Sequence, residues 1–528
     1  MNKPKHKFTH ALHELELSLF RHPKTVLMVI LALTLFFMSR IPALKIFTDF
    51  SNLLPQQHPY IQLHNSIKDS FGGANVLVVG IEFTDGDIFT NENLKKIDRM
   101  TQAIDSLPGV NHNLVSSVTH RNSRHIWLTE VGSINSQPYF DATSDDYSQA
   151  QLDEMQANIA ANPRVYGPLV SPDFKMALVK AQLIEGQLDY AGTFDKLQKI
   201  REQEKQAGIN IYATGQPVLV GWAYTYLDQI VQIFFFTILI MLALLIFHFR
   251  RAYGVLVPLG GVMVSTIWGL GIISLLGYNL DPLGLVIPFL IAARAMSHGV
   301  QIVERYYAEV VQCGNGVVAA KETFNSLFRP GTLGVVSDAV GLLLIAVGSI
   351  PLNTQLGFYA SLWAITVVFT VLVGVPVLLT ILPTPKNPEL KETFLRHIGA
   401  SCSRLVGRPG AARSLLLTAA ALMAIGLVSA SQVQIGDSEP GSPILYPHHD
   451  YNVSSRVVND QFPGSEELYI VAETDEPGGL KRPEVLKSLI DLQQHMLSDP
   501  EVGGSKGLTD LVMQVNRLMH NNDPRWYQ

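Results

Sequence analysis

Seven stretches of this chain are long and apolar enough to cross a bilayer, which takes about 20 mostly apolar residues. They cover 25–44, 229–249, 253–276, 283–303, 331–350, 357–382 and 412–432. In hydrocarbon a spanning segment must satisfy its own backbone N–H and C=O groups, so each run is expected to be a helix. The charged fraction is 16%, below the roughly 25% of a soluble globular chain. The first run does not read as a secretory signal peptide: a long polar leader precedes it and no small-residue cleavage site follows. The chain therefore reads as a polytopic α-helical membrane protein.

Basic residues orient it. Lys3, Lys5, Lys7 and Lys24 precede the first run. Arg250 and Arg251 fill the turn after the second, and Arg305, Lys321 and Arg329 lie between the fourth and fifth. Lys386, Lys391, Arg396, Arg404, Arg408 and Arg413 lie between the sixth and seventh. The alternate turns, 277–284 and 351–355, hold no Lys or Arg. The expected layout is a cytoplasmic N-terminus (1–24), span one (25–44) and an outer domain (45–225). A bundle of spans two to six (226–382), a cytoplasmic linker (383–411), span seven (412–432) and a second outer segment (433–528) follow. Both cysteines, Cys313 and Cys402, then face the cytoplasm, where no structural disulfide is expected. Segment 386–404, KNPELKETFLRHIGASCSR, reads as an amphipathic helix on the inner membrane surface.

The outer block looks α/β. Strands are expected at 76–83, 176–184 and 209–214, and helices at 91–106, 149–161 and 191–206. Strand–helix–strand units of this kind suggest a split βαβ, ferredoxin-like arrangement. A repeat then appears. The stretch starting at Leu53, LLPQQHPYIQLHNSIKDSFGGANVLVVGIEFTD, parallels ILYPHHDYNVSSRVVNDQFPGSEELYIVAETDE, starting at Ile444. Tyr60 aligns with Tyr451, Phe71 with Phe462, Gly73 with Gly464 and Leu77 with Leu468, and a helix is expected after each copy (91–106 and 482–498). Each copy follows a membrane span. One unit of span, outer domain and five spans is thus followed by the start of a second, so the repeat implies five further spans that this sequence does not contain.

One span, a large outer domain and five clustered spans, all duplicated, resembles the resistance–nodulation–division (RND) superfamily, and within it the MMPL-type, hydrophobe-exporting branch. GQPVLVGWAYTYLDQI at 215–230, ERYYAE at 304–309 and GVVSDAVGLLLIAVGSIPLNTQLGFYASLWAI at 334–365 look like family hallmarks around spans two, four, five and six. The resemblance implies an inner-membrane location in a bacterium and porter-type periplasmic domains. It also implies a hydrophobic small-molecule or lipid substrate, and it allows periplasmic accessory proteins or a homo-oligomer as partners. In that branch span four carries an Asp-Tyr pair that relays protons. Alignment on Arg305-Tyr306 puts Ser297 and His298 in those two places, so the usual carboxylate is absent.

The residues themselves offer a substitute. Arg294, Ser297, His298, Gln301, Glu304 and Arg305 follow helical spacing and form one polar stripe, which should face other helices. Ser337 and Asp338 are equally out of place in span five. At about 1.5 Å per residue, His298 lies roughly 10 Å and Arg294 roughly 16 Å inward of Arg305, and Asp338 roughly 13 Å inward of Arg329. Asp338 is therefore expected to pair with Arg294, His298 or both. Those three are the proton-relay candidates, with Ser297, Gln301 and Ser337 as a supporting polar face. The alternative is a static polar cluster that holds helix register. Asp228, His248 and Asp281 read as interfacial groups, and Glu304 and Arg305 as interfacial anchors. The glycines of span three, Gly254, Gly260, Gly261, Gly269 and Gly271, read as close-packing positions.

Other chemistry is not signalled. There is no Walker motif, so direct ATP binding is not expected. The net charge of −6 suggests no nucleic-acid partner. His58, His448 and His449 are too scattered for a zinc site, no cofactor is implied, and no nucleophile–base constellation points to an enzyme. The expected function is a proton-driven exporter or shuttle of a lipid-like substrate. The alternative is a lipid- or sterol-sensing receptor or scaffold on the same fold.

Overall fold

The computed structural model describes residues 18–44, 54–71, 75–129, 132–184, 189–280, 284–385, 394–433, 441–465, 467–500, 502–520 and 523–527. Lys3, Lys5 and Lys7, Gly73, Asp281, and Lys386 and Lys391 lie outside them, and so do the side chains of Asp228 and Arg396. In chain order the elements are α1 (Pro23–Arg40), α2 (Pro59–Phe71), β1 (Val76–Phe83), α3 (Asn91–Asp105), β2 (Arg124–Leu128), β3 (Ile134–Pro138), α4 (Gln149–Ala160), β4 (Met176–Gln182), α5 (Tyr190–Gln203), β5 (Ile209–Thr214) and α6 (Gln216–Thr225). Then come α7 (Leu227–Phe249), α8 (Ala252–Leu275), α9 (Val286–Cys313), α10 (Gly316–Leu344) and α11 (Pro351–Val367). A π-helical segment (Val368–Val373) leads into α12 (Gly374–Ile381). The last are α13 (Phe394–Val406), α14 (Ala411–Ala430), α15 (Asp450–Gln461), α16 (Pro483–Leu497) and α17 (Leu508–Met519). The chain divides into two compact units, residues 1–63 with 226–434 and residues 64–225 with 435–528.

Among the described residues, the first unit holds seven helices long and apolar enough to cross a membrane. Three differ from the hydropathy reading. α9 runs ten residues past 303 to Cys313, and α10 starts at Gly316, well before 331, so the two form one long antiparallel pair joined at Gly314 and Asn315. Hydropathy registers only the apolar part of a helix, whereas backbone hydrogen bonding carries the helix on. The polar stretch 351–355 is also not a turn. Pro351 sits at the first helical position, where its missing N–H costs nothing, and α11 begins there.

Helix α8 is the hub. A Cβ at Gly269 would lie 2.0 Å from the ring of Trp363 on α11, and one at Gly271 would lie 2.8 Å from the Phe37 carbonyl of α1. Glycine therefore lets two helices approach α8 closely, which is how membrane bundles gain packing energy in lipid. Gly260 does not share this role, since nothing lies within 4 Å of its Cβ position. Two buried bonds add register: Trp268 Nε1 donates to Thr34 Oγ1 at 2.9 Å, and Ser265 and Thr366 share a hydroxyl bond of 3.2 Å. By contrast, no residue of α14 is buried.

In the second unit β1 is the middle of a three-stranded sheet, with β4 and β5 both antiparallel to it. Val79 pairs with Val179 on one side and Ala213 on the other. β4 and β5 are therefore parallel to each other, and α5 crosses from one to the other. Single bridges at Val110–Leu183 and Ser116–Lys180 extend the sheet beyond β4. Alternate β1 residues face opposite ways. Leu77, Val79, Ile81 and Phe83 meet the apolar face of α3 (Leu94, Ile97, Met100, Ile104) in one core. Val78 faces the other side, where Met176, Leu178, Val458 and Phe462 close over it.

That second face belongs to α15, the helix of the second repeat copy. Tyr451 is buried, while its repeat partner Tyr60 is half exposed. Arg201 holds α15 through two bonds to Asp450, at 2.8 and 3.0 Å, and also donates to the Ile211 carbonyl at 2.9 Å. Arg201→Ala is expected to lower stability by about 1–2 kcal/mol, because Arg201 is mostly buried but Asp450 is wet. A fall of a few degrees in the thermal midpoint checks it.

The repeat does not extend to its strand. Leu77 is buried in β1, whereas Leu468 and Ile470 are exposed and residues 467–474 form no strand. A strand needs neighbours to satisfy its backbone, and none of the described strands comes from the second copy. The helices of that copy need no such partner: α15 forms, and α16 lies where a helix is expected at 482–498.

Candidate functional site within the membrane spans

The polar stripe of span four does not behave as one face. Arg294, Ser297, Gln301, Glu304 and Arg305 are exposed on the surface of this unit, while His298 is buried. At about 100° per residue, His298 lies roughly 40° round the helix from Arg294, toward Ile291, Ala295 and Ile302, which form the packed face. So the stripe is not one buried face among the described residues. Only His298 is buried; Arg294 and Glu304 reach neighbouring helices through their side chains, and Gln301 borders a cavity between helices.

That neighbour is Asp338. Arg294 Nε and Asp338 Oδ2 form an ion pair between α9 and α10. The guanidinium lies over Gly334, one turn before the acid, where a Cβ would come within 3.4 Å of Nη2. Ser337 is exposed beside the acid and takes no part in the pair. His298 is within electrostatic reach of both charges, but its Nε2 makes no hydrogen bond. Of the alternatives left open by the sequence, the geometry selects Arg294 as the acid's partner. Gln301 Nε2 donates to Ser297 Oγ within α9 at 3.4 Å, so these two residues bond to each other rather than across helices.

On the far side of His298 from the ion pair, a cavity of about 150 Å³ opens between helices. Its walls are His298, Gln301 and Ile302 of α9, Leu327, Pro330 and Gly331 of α10, and Leu372 of the π segment. The space is large enough to admit water. Its lining combines two helix irregularities. Pro330 has no N–H to offer the carbonyl of Ser326, and the π turn interrupts the regular ladder of the sixth span. The sequence reading did not find this cavity. Pro330 inside a helical run was the available signal; the π turn carries none.

Nearer the ends of the spans, His248 Nε2 lies 3.6 Å from Glu304 Oε1, and Arg305 Nη2 lies 2.6 Å from the buried Glu309. His248, Glu304 and Arg305 each have a protein partner. Glu309, buried near the C-terminal end of α9, was not singled out from the sequence.

Residues 90–396 match the model of the MMPL family. The chain belongs to the MMPL family. A membrane protein of Methanocaldococcus jannaschii is 24% identical over 381 residues, which make up 70% of this chain and 93% of that protein. The MMPL match thus takes in α3 to α12 and includes every residue of the Arg294–Asp338–His298 cluster. MMPL proteins are membrane transporters of hydrophobic substrates, and this member is a multi-span helical membrane protein with the ion pair and cavity inside its family region.

Proposed function

We propose that this MMPL protein is an inner-membrane RND-type transporter that exports or shuttles a lipid-like, amphiphilic substrate at the expense of the proton gradient. Its N-terminus would be cytoplasmic and the α/β unit periplasmic. The order β4-β1-β5, with α5 crossing over β1, supports a ferredoxin-like reading of that unit. The observation that carries the proposal is the Arg294–Asp338 ion pair next to a buried histidine. Charges at membrane depth are costly and are retained mainly where they line ion or substrate paths. Histidine can gain and lose a proton near neutral pH. His298 stands between the ion pair and the cavity, so a proton reaching the cavity could pass through the imidazole and loosen the pair. Separation of α9 from α10 would follow, because each side of the pair sits on a different helix.

The competing reading is a lipid-sensing receptor or scaffold. The absent span-four carboxylate, with Ser297 and His298 in its place, favours that reading, as does a pair that is already closed. Reconstituting the full-length protein with a fluorescent phospholipid and an imposed pH gradient separates the two. Transfer that stops when a protonophore is added is the expected result. Transfer that ignores the gradient indicates passive shuttling, and binding without transfer indicates the sensor.

A further inference from the structure

Helix α13 lies apart from the packed core, and every described side chain along it is exposed. Its composition is unusual for a solvent-exposed helix. Ile398, Cys402, Leu405 and Val406 fall within an arc of about 100°, and Ser403 and Arg404 lie on the other side. From 394 to 413 the sequence has four arginines and no acid. Arg404 folds back on its own helix, with Nε donating to the Ala400 carbonyl at 3.3 Å, so its charge stays on the polar face.

Position adds the second constraint. Only Gly407–Gly410 separate α13 from α14, the seventh candidate span. The link is folded as well as short: Arg408 N donates to the Leu405 carbonyl at 3.3 Å and Ala411 N to the Arg408 carbonyl at 3.0 Å. Even fully extended, four residues reach only about 14 Å. α13 is therefore held at the surface where α14 enters the bilayer.

We propose that α13 is an anchor for anionic phospholipid, lying in the membrane surface with Ile398, Cys402, Leu405 and Val406 in the acyl boundary and its arginines on lipid phosphates. Helices with an apolar arc on one side and a basic polar face on the other bind in this way, and their binding strengthens with anionic lipid. The absence of acids in 394–413 matches a negative surface and would serve no purpose against a neutral one. Arg408 and Arg413 extend the positive edge to the start of the span. The anchor would hold the linker between the sixth and seventh spans flat, so the two spans could not drift apart freely.

Cys402, on the apolar arc, supplies the test. In a Cys313→Ser background, the full chain is placed in nanodiscs of phosphatidylcholine with or without about 30% phosphatidylglycerol. Cys402 is then reacted with a membrane-impermeant maleimide. The comparison thiol comes from Ser403→Cys combined with Cys402→Ser, which puts the probe on the polar face. In anionic discs Cys402 is expected to react about tenfold more slowly than the polar-face thiol. That protection should shrink several-fold in neutral discs and after Arg404→Gln with Arg408→Gln. Equal rates for the two thiols in anionic discs overturn the proposal. So does protection of Cys402 that is the same in neutral and anionic discs, which would mean that protein covers this face.

Discussion

Asp338→Asn is expected to abolish pH-gradient-driven transport by the full-length protein, down to the level of protein-free vesicles, with less loss of protein from the membrane than Arg294→Ala causes. Asparagine keeps the size of the acid and an oxygen that can accept from Arg294, so the α9–α10 contact retains its shape. What it loses is the charge that a proton must be able to neutralise. Arg294→Ala is the harsher change for folding, because it leaves Asp338 without its counter-ion at membrane depth, a cost of a few kcal/mol. The double substitution Arg294→Ala with Asp338→Asn removes both charges and should restore the protein's yield without restoring transport. That combination discriminates. A static lock predicts that relieving the unpaired charge restores function too, so a transporting double variant would falsify the relay. His298→Ala should stop transport with the ion pair intact. Unchanged transport in both Asp338→Asn and His298→Ala would equally sink the idea.

The second large effect concerns packing. Gly269→Leu is expected to destabilise the membrane unit severely. A Cβ alone would overlap the ring of Trp363, which is fully buried and cannot swing aside. Overpacking of a well-filled core costs about 1–3 kcal/mol, and more where the obstructed group is a fixed ring. Gly260→Leu on the same helix is the control, since its Cβ position is open. In detergent, the first variant should show a much lower thermal midpoint by tryptophan fluorescence, and the second should match the parent. Equal midpoints would mean that α8 and α11 are not held at the separation described.

Several parts of this architecture were legible because membrane physics leaves few alternatives. A run of 20 apolar residues in lipid must be helical, and the seven runs appear as helices with shifted ends. The β1, β4 and β5 strands were equally legible, since their apolar residues sit in short runs bounded by turns. Less was readable at the polar stripe. Helical spacing placed Arg294 and His298 on one side of span four, but a 40° difference in direction sends one to the surface and the other into the core. That difference matters only once a neighbouring helix is in place.

By itself, then, the sequence determined that this chain is a bundle of membrane helices with an α/β unit, and that charged groups sit where lipid should not tolerate them. Both follow from local properties: backbone satisfaction in hydrocarbon, and the period of apolar residues. Only the tertiary structure decided which partner Asp338 takes, where a cavity opens beside His298, and that helix α15 of the second repeat copy covers the sheet built by the first. These depend on rotation and register between elements far apart in the chain, which are set by side-chain packing at each contact. They also explain why residues 467–474, so like β1 in sequence, form no strand. Pairing is a property of neighbours, and a strand-like segment without them remains unpaired.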